Sequence, residues 1–164
     1  MATPLGHSIV GYIIARAAGV KSRRGFALAI GAASLPDIDF LLGYVTSGDP
    51  RSLHHELITH KPVFPLLVGS AIGAAGIAAA LLRGRLPRPG AVLRPAALAT
   101  ALVGSHVTMD NLPLPYDDMT PRTAGMLDAA AGNAWNAVVD VAIYGTLAAL
   151  ALGRKGTDEQ LTEA

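Results

Sequence analysis

Residues 63–82, VFPLLVGSAIGAAGIAAALL, form an apolar run of 20 residues without a single charge. A helix of about 20 apolar residues crosses the hydrocarbon core of a bilayer, so this run predicts a transmembrane helix. Four further apolar stretches flank it. Residues 7–20 predict a first helix, short for a full crossing, and residues 25–42, followed by Gly43, predict a second element that Pro36 kinks or restarts. Residues 95–110 and 133–152 predict a fourth and a fifth helix. Polar or basic breaks separate them: Lys21-Ser22-Arg23-Arg24, the connection 43–62, the stretch Arg83–Pro89, and a loop at 111–132 that holds Pro113, Pro115 and Pro121. The expected fold is all-α, a multi-pass membrane bundle of about five helices in a single domain over residues 1–164, with 155–164 as a flexible tail.

Composition agrees with this pattern. Only 15% of the residues are charged and 51% are hydrophobic, whereas soluble domains carry about 25% charged residues. The 18 glycines and the alanine runs suit closely packed membrane helices. Gly69-x-x-x-Gly73 marks a small-residue face, expected to allow close packing and a homo-oligomer through that face. The net charge of +1 gives no electrostatic footprint for nucleic acid. No cysteine is present, which excludes disulfides and thiolate metal sites. The N-terminus does not read as a signal peptide, because no Lys or Arg precedes its apolar run and Arg16 interrupts it.

The cationic residues orient the bundle. Lys21, Arg23, Arg24, Arg83, Arg85, Arg88, Arg94, Arg154 and Lys155 fall at one set of helix ends, and only Arg51, Lys61 and Arg122 at the other. The first set is expected to face the cytoplasm. Localisation in the cell (inner) membrane follows, among membrane lipids, with loops 43–62 and 111–132 on the extracytoplasmic side.

That orientation collects the chemistry on one side. His7 opens the first helix, Asp37 and Asp39 close the second element, His54, His55 and His60 precede the third helix, and His106 and Asp110 close the fourth. A lone histidine in an apolar helix is more often a hydrogen-bonded structural residue, and a lone Asp a helix cap. Ionisable groups in a bilayer are costly, however, and their common side favours a joint site. His106 and Asp110 are four apart and share a helix face. Asp37 and Asp39 are two apart, which suits a turn or extended segment better than a helix. His55 and His60, five apart, need a break to converge. Imidazole and carboxylate are the ligands available for a divalent metal when thiolates are absent: zinc first, with manganese or iron also compatible. Asp140 reads as a weaker candidate that pairs with Arg16 or accepts a hydrogen bond, and Asn133 and Asn136 as helix-start residues.

Four motifs carry a family likeness: Thr3-Pro4-Leu5-Gly6-His7, Leu35-Pro36-Asp37-Ile38-Asp39, His55-x-x-x-Thr59-His60 and Gly104-Ser105-His106-x-x-x-Asp110. In this order they resemble the membrane-bound metal-dependent hydrolases that include the YdjM-like inner membrane proteins, over roughly residues 3–112. Members of that family show Arg-Gly where this chain has Glu56-Leu57, and Ser where it has Lys61. A more distant likeness is to the all-helical zinc-dependent phospholipase C fold, whose helical His-x-x-x-Asp carries a metal-bridging Asp. That likeness implies one metal held by Asp39, His60, His106 and Asp110, and a second by His7 and Asp110 with Asp37 or His55.

The expectation is therefore a membrane-bound metal-dependent hydrolase whose metal ligands come from His7, Asp37, Asp39, His55, His60, His106 and Asp110. Seven side chains exceed what one ion needs, so two ions with Asp110 between them are expected. Asp37 or His55 is expected to carry the proton. By analogy, the substrate is a phosphoester of a lipid or another amphiphile at the outer face. The alternative is a non-enzymatic metal-binding or ion- or proton-conducting membrane protein.

Overall fold

The computed structural model describes residues 4–49, 52–53, 56–111 and 138–150. His54, His55, most of the expected loop at 111–132 and the tail lie outside the described residues. Among those described, every element is helical: α1 (Pro4–Ala17), α2 (Arg23–Ala33), a 3₁₀ turn (Leu35–Asp37), α3 (Ile38–Ser47), a second 3₁₀ turn (Ile58–His60), α4 (Phe64–Leu82) and α5 (Pro89–Asn111). A further helix, α6, spans Val138–Leu150 and contains a π-helical segment at Val141–Gly145.

Local chemistry explains the boundaries. Pro4 opens α1, where a missing N–H costs nothing. The helix closes as Val20 N–H returns to the Ala15 carbonyl at 3.0 Å. Ser22 caps α2 by accepting from Gly25 N–H at 3.0 Å. Pro36 restarts the second apolar stretch, as expected. Its ring and missing N–H cannot continue α2, and the chain leaves at an angle of 56°. Two boundaries differ from expectation. The second stretch does not end at Leu42-Gly43 but runs on through α3 to Ser47. The fourth predicted helix begins at Pro89, six residues early, because Pro89 sits in the first turn and Pro95 is accommodated inside the helix.

The helices pack through small side chains. Ala15, Ala29, Ala33 and Leu102 form the central apolar cluster, joining α1, α2 and α5. Tyr12 and Phe26 extend it, with ring centroids 4.9 Å apart. α4 packs along α5 and α6 along α1. The Gly69/Gly73 face is used within the chain: a Cβ on Gly69 would collide with Thr100 Oγ1 and would lie 3.0 Å from the Ala96 carbonyl. Within the chain this face is therefore occupied by α5.

Among the described residues one helix, α4, is long and apolar enough to cross a membrane, and only 17% of its apolar window is buried inside the protein. The bent pair of α2 and the Leu35–Ser47 segment passes the same test together as one broken span. α1, α2, α4 and α5 alternate in direction, so the start of α1, the end of α2, the start of α4 and the end of α5 meet at one end of the bundle.

Candidate metal centre

Four of these helix ends deliver the ionisable residues. His7 lies in the first two turns of α1 and is 2% exposed; Asp39, His60 and His106 are buried as completely. Asp37 comes from the 3₁₀ turn after α2 and Asp39 from the first turn of α3. His60 ends the second 3₁₀ turn, and the i,i+4 pair His106 and Asp110 ends α5.

The ring nitrogens converge on Asp110. His106 Nε2 lies 3.0 Å and His60 Nε2 3.2 Å from Asp110 Oδ2, while His7 Nε2 lies 3.3 Å from Oδ1. Asp37 Oδ1 approaches His106 Nε2 at 3.4 Å. One ligand atom from each of Asp37, His60, His106 and Asp110 falls within 4.8 Å of all the others, and this group can hold a metal ion. The His7 and His106 rings stack, with centroids 3.6 Å apart and planes 15° from parallel.

Two of the histidines are oriented through their other nitrogen. His60 Nδ1 lies 2.8 Å from Asp39 Oδ2. His106 Nδ1 donates to the Ala33 carbonyl at 2.7 Å. The Pro36 break makes that carbonyl available: Asp37 N–H, which would bond Ala33 in a continuous helix, turns to Ser34 at 3.2 Å instead. Since a carbonyl only accepts, His106 Nδ1 carries a proton, and Nε2 is the nitrogen turned to the site: protonated it donates to the carboxylates, deprotonated it offers a lone pair to a metal ion. Nε2 faces two carboxylate oxygens, which only accept.

Positive charge resolves this arrangement, either as a second proton on the His106 ring or as a metal ion held between the groups. His106 Nε2, Asp110 Oδ1 and Asp37 Oδ2 are buried and make no acceptably aligned hydrogen bond among the described residues. Zinc bonds of 2.0–2.2 Å put neighbouring tetrahedral ligand atoms roughly 3.3–3.6 Å apart; three contacts here lie at 3.0–3.4 Å, within a group whose ligand atoms are up to 4.8 Å apart. The donor set, imidazole and carboxylate without sulfur, fits a divalent metal.

Six of the seven expected ligands are described, and all six converge; His55 lies outside the described residues. One assignment changes. Asp37, not Asp39, falls in the four-residue group that could hold an ion, and Asp39 lies against the other ring nitrogen of His60. The two aspartates are not on an extended segment: the 3₁₀ turn and the start of α3 aim them at different histidines. Asp140 is also completely buried. It lies against Gly6, ten residues and about 15 Å of helix from the exposed Arg16, so it does not pair with that cation. Comparison with family models, with curated proteins and with solved structures finds no match.

Proposed function

We propose that this chain is a membrane-bound metal-dependent hydrolase, acting at the extracytoplasmic face of the cell membrane on a phosphoester of a lipid or another amphiphilic molecule. The observation that carries the reading is the convergence of Asp37, His60, His106 and Asp110, from three separate stretches of chain, onto one buried point. Zinc is the metal that the donor set suits best, and a bound metal of this kind supplies an acidified water and a polarised substrate oxygen.

The residues divide the work by position. Asp110 has one oxygen towards His60 and His106 and the other towards His7, so it would be the residue to hold both ions if two were bound. Asp39 and the Ala33 carbonyl hold two imidazoles in the ligating orientation. Asp37 has an 18% exposed side chain, against at most 1% for the other residues of these ion pairs. It therefore stands at the open side, where it can take a proton from the attacking water and pass it to the leaving group.

Membrane placement is supported by the outward faces. Leu28, Val45, Leu66, Leu82 and Leu86 are each at least 60% exposed, a surface that lipid would cover. Conduction is the weaker alternative: the site occupies one end of the bundle, and α4 runs on from it as Ala, Gly, Ile and Leu without a polar path.

Elemental analysis of the purified protein tests the reading. About two zinc ions per chain are expected after purification or zinc loading. Near-zero transition metal, with none taken up on addition, would overturn it.

A further inference from the structure

Two of the three site histidines have an orienting partner on Nδ1, and the third does not. His7 Nδ1 is buried without a hydrogen-bond partner among the described residues. The placement of its ring must come from its stack on His106 and from the position of the α1 backbone. That backbone position has a specific support. Asp140, from α6, is 0% exposed and presses its carboxylate on the first turn of α1. A Cβ at Gly6, the residue before His7, would stand 2.7 Å from Asp140 Oδ2 and 2.9 Å from its Cγ. Only a glycine admits the carboxylate this closely.

The first turn of a helix offers N–H groups with no partner inside the helix, together with the positive end of its dipole. In α1 these N–H groups belong to Leu5 and Gly6, because Pro4 has none. A completely buried carboxylate needs such donors to offset its desolvation. Gly6 and Asp140 each take part in an interaction.

We propose that Asp140 is the positioning residue for His7: its carboxylate accepts from the first-turn N–H groups of α1 and so sets the His7 ring against Asp110. The proposal deepens the metal-centre reading and rests on it for its metal readout. It gives α6, which supplies none of the described ligands, a task in the site. It also accounts for the pairing of a glycine with the histidine that follows it.

The test has a metal-free arm and a metal arm, both on the full chain in detergent. In the metal-free arm, amide hydrogen exchange is read along α1 in the wild type, Asp140→Leu and Asp140→Asn. Loss of protection confined to Leu5 and Gly6 in Asp140→Leu, with substantial rescue in Asp140→Asn, is expected. Unchanged protection there would overturn the proposal whether or not metal binds. In the metal arm, chelator-stripped protein is titrated with zinc. Asp140→Leu is expected to weaken the second ion by about 10- to 100-fold, the usual effect of removing an orienting partner, and to leave the first in place. His7→Ala combined with Asp140→Leu is expected to be no weaker than His7→Ala alone, since both remove the same ligand. Equal weakening of both ions, or additive losses, would make Asp140 a general structural residue and reject the proposal. A wild type that takes up no zinc would defeat the metal reading, and the exchange arm would still decide the anchor.

Discussion

His106 does three things at once: it donates from Nδ1 to a backbone carbonyl, aims Nε2 at two carboxylates, and stacks its face on His7. Removing it empties the middle of the cluster, and removing Asp110 takes away the group on which three imidazoles meet. His106→Ala and Asp110→Ala are each expected to abolish metal binding while the protein still inserts. Retention of wild-type metal content in both variants would reject the assignment. Asp39→Asn should behave differently. It keeps an acceptor near His60 but loses the charge, so affinity should fall by about tenfold and not vanish; a zinc titration beside Asp37→Asn separates the two aspartates. From sequence, the phospholipase C likeness put Asp39 with His60, His106 and Asp110, and gave Asp37 the second ion or the proton. Their roles depend on which histidine each reaches, and that is decided by the 56° turn between α2 and the helix that follows.

At the level of elements, the break at Pro36 and the seam between α4 and α5 organise the bundle. Pro36→Ala restores an N–H and removes the ring clash, allowing α2 to extend and Ala33 to be recaptured as an intrahelical acceptor. His106 then loses its 2.7 Å partner. Zinc affinity is expected to drop about tenfold or more with helix content unchanged or higher, measured by titration and circular dichroism. A variant of wild-type affinity would show that the break does not orient His106. In the seam, Gly69→Ala introduces a methyl into space held by Thr100 Oγ1 and should cost about 1–3 kcal/mol. Thermal unfolding in detergent reads this loss, and Thr100→Ala on the same background should recover most of it. An unchanged midpoint would mean that α4 and α5 are not in this register. The small-residue motif was plain in the sequence, but its partner was not, because a glycine face is equally open to a helix of the same chain and to a second copy.

For the whole molecule, the alternating helix directions put every described site residue at one end and the connections bearing Lys21–Arg24 and Arg83–Arg88 at the other. The positive-inside rule then predicts which end is outside. The chain has no cysteine, so single substitutions report cleanly. With a membrane-impermeant thiol reagent on intact cells, Glu56→Cys is expected to label and Lys21→Cys to remain unlabelled. The reverse pattern would place the site in the cytoplasm.

Much of this protein was legible along the chain. The charge-free run of α4, the helix interruption at Pro36, the i,i+4 pair at the end of α5 and the collection of ligands on one side all follow from periodicity, proline chemistry and loop charge, which are local properties. What the tertiary structure alone decided are relations between distant segments: Asp37 and Asp39 on different histidines, α5 in the Gly69 groove, Asp140 against Gly6 and not near Arg16. The end of α3 at Ser47 and the start of α5 at Pro89 were also misjudged, the latter because whether a proline starts a helix or sits within one depends on which backbone groups neighbouring helices satisfy. A sequence lists donors and acceptors; which of them are left facing one another in a buried space is set by packing.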